Sequence, residues 1–208
     1  MAAKIQSKNL EKELNNFIVK EVIKKNRSSL QRTVFVAFEK IKNEMIQEFQ
    51  NHPITKEILA GPNAENTSGT LNGYGNLFAF IGFDKNTNPI QPILNILQKS
   101  KIEYNRTTET GIIFTIVLPS KFDIFKETPM PWAAGRSWAE GIERGISGLG
   151  KFLYTDSAET SRSGEGIQSK GVIKGGKFTP VPYISALLKK YEKQFLQIDS
   201  RVVISKIL

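Results

Sequence analysis

The sequence predicts an α+β fold: a long N-terminal helix packed across an antiparallel or mixed β-sheet, with a C-terminal helix. Three observations predict it. The first fifty residues carry apolar side chains at steps of three and four, with no proline among them. The middle of the chain alternates short apolar runs with Gly, Asn and Pro turns. Residues 182–198 return to helical spacing. At 208 residues, 39% hydrophobic and 24% charged, the chain is long enough to bury a core and has a globular composition. One domain over residues 1–208 is expected, with no internal repeat.

In the first helix Leu10, Leu14, Phe17, Ile18 and Val22 are followed by Leu30, Val34, Phe38, Ile41, Met45 and Phe49. They read as one apolar stripe with Lys and Glu on the other face. Ser28 with Gln31 fits a capping box, so either one long helix or two in succession is expected. His52-Pro53 ends it, because the residue before proline is pushed out of the α region. Residues 54–59 can add a further turn or two before Gly61-Pro62. A Gly- and Asn-rich loop over residues 63–76 follows.

Residues 77–83, apolar throughout, are expected to form the first strand. Residues 89–97 form a short amphipathic helix with proline in its first turn. Residues 102–107 and 112–118 form a hairpin around Gly111. Residues 121–127 extend the sheet, and residues 129–132 make a rigid connector. Residues 137–149 carry Trp138, Ile142, Ile146 and Leu149 on one helical face, with Gly141, Gly145 and Gly148 weakening that helix. Residues 152–154 and 166–174 read as two arms of a hairpin. Between them, residues 155–165 are rich in Ser, Thr, Glu and Gly and are expected to be a flexible loop. Residues 201–208 are apolar and basic and are expected to dock, on the core or on a neighbouring subunit.

Composition removes many chemistries. With no cysteine, disulfides, thiolate nucleophiles and Cys-based metal sites are excluded. One histidine, His52, excludes two-histidine metal sites and leaves little room for a Ser–His–Asp triad. No apolar run precedes residue 14, and none approaches the ~20 residues of a bilayer span. A cytoplasmic site of synthesis and no membrane partner are expected.

The net charge of +9 suits nucleic acid or an acidic partner as well as a plain solvated surface. Lys24, Lys25, Arg27 and Arg32 form the densest basic cluster and are the candidate phosphate contacts, without sequence preference. No aromatics interleave with them, as base stacking requires. The first fifty residues hold ten basic and six acidic side chains, mixed along their length, which reads as a solvated face. A sequence-independent nucleic-acid-binding protein is the alternative reading of the whole chain.

Gly145-Ile146-Ser147-Gly148-Leu149-Gly150-Lys151 fits the first seven positions of a phosphate-binding loop. Phe152 then stands where a magnesium-binding hydroxyl is needed, and a helix rather than a strand precedes the segment. No cofactor and no metal ligand are expected. Glu140 and Glu143, one helical turn apart, are the best carboxylate pair for acid–base work and read more naturally as surface. His52, at a helix end before a proline, reads as a cap or an exposed residue rather than a catalytic one. No catalytic residue is assigned, and a non-enzyme is expected. Trp132 and Trp138, either core or interface anchors, join the loop residues Thr155, Asp156, Glu159 and Arg162 as candidate subunit contacts. The tail residues Val202, Val203, Ile204, Ile207 and Leu208 complete that set.

Thr67-Ser68-Gly69-Thr70-Leu71 leads from the long helix toward residues 77–83. Phe178-Thr179-Pro180-Val181-Pro182-Tyr183-Ile184-Ser185-Ala186-Leu187 opens the last helix. In these segments and in the order of its elements, the chain resembles the tail-completion, or neck, proteins of long-tailed bacteriophages. In that family a long helix leads into a Thr-Gly-x-Leu-like segment and a sheet, and the chain ends with a Pro-Phe-x-x-Pro-Ala-Leu-like run. The resemblance covers most of residues 8–198, with added material around residues 89–97 and 121–149. It implies a non-catalytic structural protein of the virion, made in the host cytoplasm. It further implies a homo-oligomeric ring at the head–tail junction, as neck, tail-completion or tail-terminator protein. Other neck and tail proteins are its partners, with non-specific DNA contact open. A ring needs one patch to meet a different patch on the next subunit. Residues 155–165 and 201–208 are the expected arms, so loss of the tail is expected to block assembly while leaving the monomer folded.

Overall fold

A computed structural model describes residues 2–71, 75–108, 111–145, 153–154, 162, 167–168, 178–198 and 202–206, with side chains for 12–18, 20–71, 75–108, 111–145, 162 and 178–198. Helix α1, Ala2–Asn51, runs unbroken for 50 residues, about 75 Å at 1.5 Å per residue. The possible break near Ser28 does not occur. The polar side chains there are absorbed by the helix itself: Asn26 Nδ2 donates to the Val22 carbonyl and Thr33 Oγ1 to that of Ser29.

His52 separates α1 from α2, Pro53–Leu59. It is extended (φ −61°, ψ 135°), as a residue before proline must be, and Pro53 opens the new helix. After the loop come α3, Leu77–Ile81, and α4, Gln91–Gln98. Strands β1, Lys101–Thr108, and β2, Gly111–Leu118, form the expected hairpin, with a register shift between Tyr104 and Arg106. Then follow α5, Lys121–Lys126; β3, Pro129–Met130; β4, Ala133–Ser137; and α6, Trp138–Arg144. Strands β5, Leu153–Tyr154, and β6, Ile167–Gln168, pair antiparallel, as the two expected arms do. Helix α7, Ile184–Leu196, and strand β7, Val202–Lys206, close the order.

The main sheet is mixed, in the order β1-β2-β7: β1 is antiparallel to β2, and β7 is parallel to it. Along β2, Ile112, Phe114, Ile116 and Leu118 are buried at alternate positions, the period of a strand covered on one face. Helix α1 covers that face, with Phe35 edge-on to Phe114 at 6.1 Å. Its C-terminal half also packs on α7, where Phe38 meets Phe195 at 5.1 Å and Phe49 stacks on Tyr183 at 5.8 Å. One contiguous core cluster includes side chains from Ile23 to Phe195.

Three expectations are corrected. No strand forms over residues 77–83; residues 77–81 are a helix. Asn76 caps its start by accepting from Ala79 N at 2.9 Å, and Gly82 ends it in the left-handed region at φ 81°. All five helical residues are buried, so their apolar run carries no period to tell helix from strand. Residues 121–126 are also helical, nucleated by a capping box between Ser120 and Asp123.

The apolar stripe of α1 is two stripes, not one. At 100° per residue, Ile23, Val34, Phe38, Ile41, Met45 and Phe49 fall within about 80° and face the core. Leu14, Phe17, Ile18 and Val22 span about 140° centred on the opposite side. They are 59%, 62%, 50% and 52% exposed.

Candidate functional site

The loop after α2 is held by a carboxylate. Glu57 sits next to Ile58 on the buried side of α2 and is 1% exposed. Its Oε1 accepts from Leu77 N at 2.7 Å, at the start of α3, and its Oε2 from Ser68 N at 2.8 Å. Hydrogen bonds from two backbone amides satisfy a buried anion that would otherwise be costly. Beyond it, Ser68 and Thr70 share a hydroxyl contact at 2.9 Å, and Thr70 is fully buried. The Thr70 carbonyl accepts from Thr179 N at 2.8 Å. Tyr183 shares a hydroxyl hydrogen bond with Thr55 at 2.7 Å, and Phe178 stacks on Phe80 at 5.8 Å with the rings nearly parallel. The segments 67–71 and 178–187, more than a hundred residues apart in the chain, thus form one joint.

The acid–base groups around this joint are all engaged in structure. Glu143 accepts from the Ser185 amide and hydroxyl, both at 2.5 Å, and so caps the first turn of α7. Glu140 pairs with Arg144 at 2.7 Å across one helical turn. The Glu140–Glu143 pair therefore converges on no common point: one carboxylate serves Arg144, the other α7. Of capping and exposure the structure shows capping, at the start of α2: His52 Nδ1 accepts from Ile54 N at 3.3 Å, and its ring leans on Tyr183 at 4.9 Å. Burial holds its pKa below the usual imidazole value, against the attraction of Glu48. Glu48 accepts from Lys190 Nζ at 2.5 Å and from the Tyr191 hydroxyl at 2.7 Å, tying α1 to α7. The Lys190 hydrogen bond lowers the Glu48 pKa, and burial only partly offsets it. Desolvation pushes the Tyr183 and Tyr191 hydroxyls up, so both stay protonated. Among the described residues no three His, Asp or Glu side chains gather as a metal ion needs.

The candidate phosphate contacts are all exposed on α1 but do not act as a set. Lys24 lies 4.0 Å from Glu21, and the Arg27 guanidinium sits over the Tyr104 ring at 4.7 Å. Lys25 and Arg32 project from another side of the helix, about 80–160° round from these two. Among the subunit candidates, Trp138 is 2% exposed and edge-on to Phe83, so it is core and not an interface anchor. Trp132 is half-buried, and its Nε1 donates to the Ile81 carbonyl at 2.8 Å, locking the α3 terminus. Arg162 is exposed, and its carbonyl accepts from Lys85 N at 3.3 Å. Thr155, Asp156 and Glu159 lie outside the described residues, as do Ile207 and Leu208. Val202, Val203 and Ile204 belong to β7, whose backbone pairs with β2 of the same chain. The tail strand is therefore a strand of this chain's own sheet rather than a free arm. In the Gly145–Lys151 segment, α6 precedes Gly145, which takes φ 88°; residues 146–152 lie outside the described residues.

Sequence reasoning missed Glu57 and Glu48, two carboxylates that tie separate elements together. For Glu57 a signal existed: an acid stands beside Ile58 on the apolar side of a short helical turn. Among the described residues no helix is long and apolar enough to cross a membrane. No protein-family model, no curated protein and no solved structure matches the chain.

Proposed function

We propose that the chain is a non-catalytic structural subunit of a tailed-bacteriophage particle. It takes its place in a homo-oligomeric ring at the head–tail junction, as a neck, tail-completion or tail-terminator protein among other neck and tail proteins. The observation that carries this reading is the joint itself. The two segments on which the family resemblance rests, 67–71 and 178–187, are hydrogen-bonded to each other through Thr70 and Thr179. They also close around the base of the long helix, where Tyr183 packs on Phe49. The resemblance therefore falls on segments that meet in space. The carboxylates nearest the joint support the same reading. Glu57 is bound to two amides, Glu143 to Ser185, and Glu48 to Lys190 and Tyr191, so each holds shape.

The test is quantitative mass spectrometry of purified particles from the phage that carries the gene. The reading expects this chain at a fixed copy number that fits a symmetric ring. Its absence from clean particles overturns the reading.

A further inference from the structure

We propose that the groove between the end of β2, the first turn of α5 and α7 is the seat of Ile207 and Leu208 of the same chain, with Leu208 inserted. These two residues follow β7 and lie outside the described residues. The inference stands on the sheet register and does not rest on the virion reading.

The first ground is the groove itself. It has a volume of about 440 Å³, the size of a binding cleft. Met45 of α1, Leu118 and Pro119 at the end of β2, Phe122 of α5, and Leu188 and Tyr191 of α7 give it mostly apolar walls. Met45, Leu118 and Tyr191 are buried, whereas the Phe122 ring is 65% exposed. Water against such walls finds few hydrogen-bond partners, so an apolar occupant is favoured.

The second ground is the register, which names the occupant. Strand β7 runs parallel to β2, and its last residue, Lys206, is the partner of Leu118. Leu118 is a wall of the groove, and so are Pro119 and Ser120, which follow it. The chain leaving β7 in the same direction therefore arrives beside the groove. At about 3.3 Å per residue, two residues carry it roughly 7 Å beyond Lys206, level with Pro119 and Ser120. Helix α7 packs on β7 and supplies the opposite wall through Leu188 and Tyr191. Alternation selects the inserted residue. Paired positions of neighbouring strands share a face, so position 206 shares the buried face of Leu118, position 207 the other face, and position 208 the buried face again. That residue is a leucine. Tethered beside the groove, it acts at an effective concentration in the millimolar range, which favours it over a free apolar ligand or a second copy at micromolar concentration.

The chain has no cysteine, so introduced cysteines are unique. Leu188→Cys reports access to the groove through its rate of reaction with a maleimide. Adding Leu208→Asp to that variant is expected to raise the rate at least tenfold. The double variant Leu188→Cys/Leu208→Cys, treated with a short bismaleimide, tests occupancy without disturbing the apolar contact. In an equal mixture of isotopically heavy and light copies, the expected product is linked within one chain, with no heavy–light pair. A labelling rate that Leu208→Asp leaves unchanged overturns the inference. So does the absence of a link within the chain. Links found only between heavy and light copies overturn it as well, and assign the groove to the tail of a second copy.

Discussion

Removing the Glu57 carboxylate tests whether the loop between α2 and α3 is built as described. Glu57→Ala strands a buried amide, Leu77 N, and a part-buried one, Ser68 N, that now bond to one carboxylate at 2.7 and 2.8 Å. Each stranded donor costs about 1–3 kcal/mol, and the space left by the side chain admits a water that recovers part of it. The expected loss is about 3–4 kcal/mol. Glu57→Gln keeps the shape and one acceptor oxygen but turns an NH2 group toward the second amide, so about 2 kcal/mol is expected. Urea unfolding followed by tryptophan fluorescence measures both. Trp132 is a built-in reporter, because its indole is bonded to the carbonyl of Ile81 at the end of α3. With a slope of about 2–3 kcal/mol per molar urea, the Ala variant moves the midpoint down by roughly 1–2 M. Amide exchange at Ser68 and Leu77 should accelerate with it. A Glu57→Ala protein within about 0.5 kcal/mol of the parent refutes the reasoning, because surface substitutions alone have effects of that size.

Three further outcomes follow from the same contacts. Glu143→Ala uncaps α7 by releasing the Ser185 amide and hydroxyl, and should lower stability by about 1–2 kcal/mol in the same urea assay. Acid should destabilise the protein in two windows. The folded pKa of His52 is depressed by burial, so the unfolded chain takes the proton first and stability falls as pH drops below 6.5. The folded pKa of Glu48 is depressed by its Lys190 hydrogen bond, so a second loss begins below 4.5. Unfolding midpoints measured from pH 8 downward check both. Glu48→Gln should abolish the lower window and, by removing the charge that favours the His52 proton, deepen the upper one. Deleting residues 201–208 removes β7 and turns the apolar β2 into an edge, which at ~1 kcal/mol per lost ladder hydrogen bond costs roughly 3–5 kcal/mol. A truncated chain as stable as the parent would show that β7 is dispensable to the sheet and restore the tail to the role of a free arm.

The elements that sequence revealed are those with a period to display. The α1 spacing from Val34 to Phe49, the 102–107/112–118 hairpin and the 184–196 helix all bury one side and show the other to water. The buried residues 77–81 show no period, so only their ends distinguish helix from strand: Asn76 as a cap and Gly82 as a stop. The same holds for residues 121–126, where Ser120-x-x-Asp123 was the usable signal. Within the joint, the cap role of His52 followed from its neighbour Pro53. The partners of Glu57 and Glu48 did not, because Leu77 and Lys190 lie 20 and 142 residues away. The change of sides in the α1 stripe is present in the spacing: steps of three and four look continuous, but summed at 100° per residue they drift to the other face. The step from Val22 to Ile23 is one residue, yet it rotates the apolar direction by about 100°.

That change of sides has a consequence for how α1 holds together. From Phe38 to Phe49 the helix is clamped by α7 and the sheet, so its amides should exchange as slowly as the core. Residues 12–22 are packed more loosely: Leu14, Phe17, Ile18 and Val22 are half or more exposed, and an isolated helix of this length is marginal in water. Natural sequences tend to be locally consistent with the structure that they stabilise. Three large apolar residues on one i, i+4 ridge, with Phe17 beside them, are unusual on a bare helix. Hydrogen exchange should therefore separate the two halves of one continuous helix. Protection across residues 12–22 should be low, and protection across 38–49 should approach that of the core. Equal protection of both halves would mean that the N-terminal half is held as firmly as the packed half, and the exposure of its apolar side chains would not govern its opening.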